Sequence, residues 1–243
     1  MQTATALILW DIDGTLIGSD GFTETLLRTA LALSFGSHAA LAVASFAGKT
    51  DAQIIEEIYG LNAQPGLPAY QFQCAAIEQF IQTYHALVQR QQQQLLATTS
   101  VLPGVVPVLQ AFAQQGSVQS IITGNVRSVA QYKLALFGLD SSFDLRIGAY
   151  GDESTRRTDL VDLALQRACV WFPHIQPATT LLIGDTPNDI AAGRARGVHT
   201  VGVATGIYAE AELRAAGADL VVPSLCDTFQ QLWALLVDSG DAF

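Results

Sequence analysis

The sequence predicts an α/β fold, a doubly wound parallel sheet with an all-helical segment inserted after the first strand. Three observations carry this. Short, continuously apolar runs recur along the chain, as in strands covered on both faces. Amphipathic helical patterns separate them, which favours right-handed crossovers and a parallel sheet. One long stretch, from about Gly18 to Leu96, breaks the alternation and has only helical periodicity.

The first strand is Leu7-Ile8-Leu9-Trp10, ended by Asp11-Ile12-Asp13-Gly14. Further strands are expected at Val118 to Ile122, Leu145 to Ile147, Thr180 to Ile183, His199 to Val203 and Asp219 to Val222. Helices are expected at Val105 to Ala113, Ser128 to Phe137, Asp159 to Cys169, Asp189 to Ala195 and Ala209 to Ala215. Within the insert, Leu26, Leu27, Ala30 and Leu31 make one apolar stripe, and Ile77, Phe80, Ile81 and Tyr84 another. Gly60 to Pro68 reads as its internal loop, Gly18 to Gly21 and Ala97 to Gly104 as hinges. Gln91 to Gln94 reads as a solvated helix face. The expected domains are therefore a core of residues 1–17 and 97–243 and a helical domain of residues 18–96.

The chain has 243 residues, half of them hydrophobic, with 12 basic against 22 acidic side chains and a net charge of -10. That balance opposes binding to nucleic acid or anionic lipid. No apolar run reaches the roughly 20 residues that span a bilayer, and the first apolar run ends in Asp11, unlike a signal peptide. A cytoplasmic address, without nucleic-acid or membrane partners, is the expectation; the oligomeric state is open. Cys74, Cys169 and Cys226 lack metal-ligand or disulfide spacing and are expected to be buried, inert thiols. The four histidines are scattered and receive no role.

Asp11 and Asp13 sit two apart at the carboxyl end of the first strand. Alternation therefore aims both into the crevice where open α/β sheets bind ligands. Thr123 and Gly124 follow another strand and precede a helix, where a hydroxyl and backbone N–H groups can cradle phosphate, although a plain helix N-cap is the simpler reading of Thr123. Asp185 and Asp189 lie four apart beyond a third strand, so one carboxylate can bind a cation and the other its water. Oxygen donors of this kind suit Mg²⁺. Gly48-Lys49-Thr50-Asp51 ends like a P-loop, but the required first glycine is Val43, which excludes a Walker motif. It reads as a polar loop facing the site, with Thr50 or Asp51 capping the next helix.

Asp11-Ile12-Asp13-Gly14-Thr15-Leu16 resembles the first motif of the haloacid dehalogenase superfamily. Ile121-Ile122-Thr123-Gly124-Asn125 resembles its second motif, and Gly184-Asp185-Thr186-Pro187-Asn188-Asp189 its fourth. The likeness, to phosphoglycolate-phosphatase-like members in particular, implies a Mg²⁺-dependent phosphohydrolase with a helical cap after the first strand. It implies Asp11 as nucleophile forming an aspartyl-phosphate and Asp13 as general acid and base, holding a proton because clustered carboxylates raise one another's pKa. It implies metal ligands from the Asp11 carboxylate, the Asp13 carbonyl and Asp185, with Asp189 beside them. Gly124, Asn125 and Lys49 are the expected substrate contacts, Lys49 reaching the non-transferred end of an ester that carries an anionic or polar group.

The third-motif lysine of the family is missing. Arg157 is the preferred replacement; Lys133 and Arg156 are the alternatives, Lys133 being expected far down a helix at the surface. A small phosphorylated metabolite, phosphoglycolate-like or a sugar phosphate, is the expected substrate. A β-phosphoglucomutase-like phosphomutase is the alternative, and a non-catalytic metabolite-binding module a weaker one. The second aspartate, Asp13, argues against dehalogenation.

Overall fold

The computed structural model describes residues 6–37, 43, 45–61 and 69–237. The expected parallel sheet with flanking helices is present. The sheet has five parallel strands: β1 (Leu7–Trp10), β4 (Val118–Ile121), β5 (Thr180–Gly184), β6 (His199–Val203) and β7 (Leu220–Val222), in the spatial order β4-β1-β5-β6-β7. β1 is central, pairing Leu7 to Trp10 with Val118 to Ile121 on one side and with Thr180 to Ile183 on the other.

All four β1 side chains are fully buried because strand alternation divides them between two helical layers. Ile8 and Trp10 face a core shared with α5 (Val105–Gln114) and α10 (Phe229–Val237), where Trp10 meets Phe112 edge to face at 6.0 Å. Leu7 and Leu9 face Leu160, Val161 and Ala164 of α7 (Arg157–Trp171) and Ala192 of α8 (Pro187–Arg194). Each such aliphatic side chain contributes roughly 1.5–3 kcal/mol through burial.

A short antiparallel ribbon, β2 (Ile17–Ser19) with β3 (Thr99–Val101), joins the sheet to the insert. It lies where hinges were expected; Gly18 and Ser19 are paired strand residues. Between the two ribbon strands lie α1 (Phe22–Phe35), α2 (Asp51–Leu61), α3 (Ala69–Arg90) and α4 (Gln92–Thr98). The two apolar stripes read from the sequence pack together: Leu26, Leu27, Ala30 and Leu31 are buried with Phe80 and Tyr84, while Ile77 and Ile81 are partly buried against them. Val126 and Val129, at the start of α6 (Arg127–Leu136), belong to the same cluster and fasten the insert to the sheet domain. Gln91 to Gln94 are exposed. Of the expected loop Gly60 to Pro68, Gly60 and Leu61 complete α2, and 62–68 lie outside the described residues.

Leu145 to Ile147 is not a strand. The segment is a turn held by Asp144, whose carboxylate accepts from Arg146 Nε at 2.9 Å and Nη2 at 2.6 Å, and only an isolated bridge, Ile122 to Ala149, remains of the expected pairing. Cys169 and Cys226 are exposed rather than buried, being placed near the end of α7 and in the loop after β7. α9 (Glu210–Ala215) and the remaining helices fall within two residues of their expected limits, whereas α10 was not anticipated.

Candidate active site

The carboxyl ends of β1, β4, β5 and β6 converge on one cavity of about 390 Å³, which the insert closes from the other side. Asp11 ends β1 and is buried, its backbone N–H donating to Ile183 O at 2.9 Å. Gly14 takes φ +85° in a tight turn that its N–H closes by donating to Ile17 O at 2.7 Å. A Cβ on Gly14 would come within 2.3 Å of Asp185 Oδ2, and one on Gly206 within 1.7 Å of the same oxygen. Asp185 therefore occupies a notch that only two glycines leave open.

After β5, Thr186 caps α8 and accepts from Asp189 N at 3.3 Å, while Asp189 Oδ2 accepts from Thr186 N at 3.1 Å and Oγ1 at 2.7 Å. This box fixes the direction of the second carboxylate oxygen. Asp189 Oδ1 is buried and has no hydrogen bond; Arg157 Nη2 lies 2.6 Å away but off the donor direction. The same Nη2 donates to Asp11 Oδ1 at 2.5 Å. Arg157 thus lies between Asp11 of the first motif and Asp189 of the fourth. Arg156 points outward and pairs with Asp159.

Thr123 is buried beyond β4, and its Oγ1 accepts from Asn125 N at 3.2 Å and Nδ2 at 2.9 Å. It does not cap α6, whose N-cap is Val126. Asn125 Nδ2 also donates to Asp13 Oδ2 at 2.6 Å. Lys133 contradicts the expectation of a surface lysine: it is 1% exposed, and its Nζ donates to Asp13 Oδ1 at 2.9 Å, to Asp13 Oδ2 at 2.8 Å and to Asn125 Oδ1 at 3.0 Å. Helical side chains lean toward the helix N-terminus, so the seventh residue of α6 reaches back to the site. All three ammonium donors are used.

The insert meets the site through its own loop. Thr50 Oγ1 accepts from Gln53 N at 3.1 Å and caps α2. Asp51 does something the sequence did not disclose. Its N–H donates to Gly124 O at 2.8 Å, and its Oδ2 accepts from Val126 N at 2.9 Å, so it ties α2 to the Thr123–Asn125 turn. Gly124 admits this closeness, since a Cβ there would stand 2.0 Å from Lys49 O. Lys49 lines the cavity, but its Nζ is paired with Glu57 Oε2 at 2.6 Å. Thr205 and Gly206, after β6, were also missed; Thr205 Oγ1 donates to Gly14 O at 2.6 Å. Their position beyond a strand's carboxyl end was the available signal.

The family model for haloacid dehalogenase-like hydrolases matches residues 8–203. The chain belongs to that family. The hydrolase is 27% identical over 232 residues to "Probable phosphatase IndB" of Dickeya dadantii, covering 95% of this chain and 94% of that one. It is 26% identical over 239 residues to the phosphoglycolate phosphatase of Haemophilus influenzae, covering 97% and 100%. A hydrolase from Pseudomonas syringae shares its fold, with a TM-score of 0.70, 21% identity and coverage of 93% and 97%.

In this hydrolase Asp11, Asp185 and Asp189 can each offer a carboxylate oxygen within 4.8 Å of the others. Such a set of hard oxygen donors, with Asp189 Oδ1 accepting no hydrogen bond among the described residues and paired only with the Arg157 charge, fits a hard divalent cation. Burial, reinforced by Asp189 and Asp13 and opposed by Arg157, pushes the Asp11 carboxyl up to about 7. Burial and then the neighbouring Asp11 and Asp189 push Asp185 well above its ordinary range. Burial opposes ionisation of Arg157 too, but Asp189 and Asp11 outweigh it and hold the guanidinium charged. A bound cation would relieve the carboxylates in the same way. Asp13, by contrast, faces an ammonium and an amide, and its side chain is not part of the carboxylate trio. No described helix is long and apolar enough to cross a membrane.

Proposed function

We propose that this hydrolase is a phosphatase that removes phosphate from a small phosphorylated metabolite by way of an aspartyl-phosphate at Asp11, with Mg²⁺ as cofactor. The observation that carries the reading is the division of the site in two: Asp11 lies among buried carboxylates and Arg157, while Asp13 stands apart, held by Lys133 and Asn125. Two carboxyls in such different surroundings suit two roles.

In the first half-reaction an Asp11 oxygen bonds to phosphorus and the ester P–O bond breaks. Asp13, which has to enter this step as the neutral acid, gives its proton to the departing alkoxide and is left a carboxylate. In the second, Asp13 removes a proton from water, the water oxygen bonds to phosphorus, and the Asp11–phosphorus bond breaks to give phosphate and free Asp11. Arg157 holds Asp11 in line and offsets charge gathering on the phosphoryl oxygens. Thr123 and the backbone of Gly124 supply neutral donors beside it. Mg²⁺, held by Asp11, Asp185 and Asp189 with the Asp13 carbonyl nearby, would add Lewis-acid stabilisation of that phosphoryl group.

Helices α1–α4 act in this reading as the cap, residues 18–96, that closes over a small substrate and excludes bulk water. A phosphate-release screen across phosphorylated metabolites, run with Mg²⁺ and with a chelator, tests the proposal. Metal-dependent release supports it. Isomerised sugar phosphate without free phosphate contradicts it in favour of a phosphomutase, and chelator-resistant turnover removes the metal from it.

A further inference from the structure

Among the described residues, five carboxyl side chains line the cavity against three cations, Lys49, Lys133 and Arg157. Each cation is already engaged. Lys133 is on Asp13, Arg157 is on Asp11 and Asp189, and Lys49 is on Glu57 at 2.6 Å, with Gln53 Nε2 donating to the other Glu57 oxygen at 3.2 Å. The insert presents an apolar patch to the cavity, beside Thr23, Glu24, Lys49 and Asp51: Leu27 and Ile54 are buried, Phe46 is partly buried, and Tyr84 is 2% exposed. Burial raises the Tyr84 phenol well above its ordinary value, so it meets a substrate as a neutral hydroxyl.

On the phosphatase reading, we infer that the alcohol leaving the phosphate is uncharged, with an apolar or aromatic body seated against Leu27, Phe46, Ile54 and Tyr84. A carboxylate there would have to share Lys49 with Glu57, in a cavity where, among the described residues, carboxyl side chains already outnumber cations. An apolar group displaces water from the same wall without such a cost. This differs from the expectation that Lys49 reaches an anionic or polar group on the ester. Phosphoglycolate, whose leaving group is one methylene and a carboxylate, is a poor match to the cavity.

Three esters with alkyl leaving groups separate charge from size: phosphoglycolate, 2-hydroxyethyl phosphate and benzyl phosphate. Measured by phosphate release with Mg²⁺, kcat/KM for benzyl phosphate should exceed that for phosphoglycolate by at least about tenfold, with 2-hydroxyethyl phosphate also above phosphoglycolate. Glu57→Gln frees Lys49 without touching the proposed catalytic groups; it should raise kcat/KM for phosphoglycolate about fivefold and leave benzyl phosphate within about twofold. Lys49→Met should leave the wild-type order unchanged. A wild-type preference for phosphoglycolate, or a Glu57→Gln variant with no shift in the ratio, overturns the inference while phosphate release still supports the phosphatase reading. Release from other esters but none of these three also overturns it alone, whereas release from no ester in the wider screen brings down the phosphatase reading itself.

Discussion

Lys133 and Asp13, 120 residues apart in the chain, form a two-oxygen contact at 2.9 and 2.8 Å in which the lysine is almost completely buried. Asn125 completes the set, so Asp13 is fixed by two groups from the turn and helix after β4. Lys133→Met keeps the apolar stem and removes the charge. It should lower kcat by at least about tenfold, because Asp13 loses its alignment for proton transfer, and change KM by less than about threefold. Lys133→Arg should not restore kcat, since a guanidinium fork cannot occupy the ammonium's three-way position. A Lys133→Met enzyme with unchanged kcat would mean that Lys133 only packs the base of α6.

Arg157 bridges Asp11 and Asp189 from the first residue of α7. Arg157→Ala should reduce kcat/KM by at least about tenfold, roughly 1.4 kcal/mol, through loss of a charge-assisted contact in a desolvated site. Because the same guanidinium compensates buried carboxylates, the chelated variant should also melt lower than chelated wild type, and Mg²⁺ should recover more of that loss in the variant. Kinetics and melting with and without Mg²⁺ check both statements; unchanged kcat/KM would contradict the role given to Arg157.

The Asp51 carboxyl, buried and only partly offset by Val126 N–H and Lys133, stands at about 7 against an ordinary 3.8. Between about pH 4 and about pH 7 the folded protein therefore keeps a proton that the unfolded chain has released. Stability falls as pH rises through that window and is level above it, by up to about 4 kcal/mol for a shift of this size. Asp11, also raised to about 7, adds to the same slope in the metal-free protein. Asp51→Asn retains an acceptor for Val126 N–H and removes the titration. The difference in Tm between about pH 5 and about pH 8, measured in chelator, should shrink by several degrees. An unchanged difference would show that Asp51 does not ionise against burial.

The sheet was legible chiefly from its most apolar strands: Leu7–Trp10 and Thr180–Ile183 can satisfy both faces only between helical layers, whereas β4 carries the buried polar Gln119 and Ser120. The motif residues were legible for the same reason, since each run ends in polar residues that the topology gathers at one edge. Leu145 to Ile147 misled because two apolar residues around Arg146 resemble a strand, whereas the Asp144–Arg146 contacts close a turn. Lys133 was misjudged on sequence distance from Thr123. What decides its reach is where α6 begins and the backward lean of helical side chains, and neither follows from counting residues. The Asp51 bond to Val126 joins segments 75 residues apart, and no local pattern announces it. Lys49 was visible as a rare cation, but its partner Glu57 lies two turns on and settles its charge.

Covalent chemistry at Asp11 is the step on which the proposed hydrolysis turns. Acid quenching of the enzyme during turnover of a good phosphomonoester, followed by borohydride reduction and peptide mass analysis, reads it. A phosphorylated Asp11 should be converted to homoserine at that position, the modification should require Mg²⁺, and Asp11→Asn should show neither the modification nor turnover while remaining folded. An enzyme that turns over with Asp11 unmodified at every quench time, or an Asp11→Asn variant with near-normal turnover, would contradict the account.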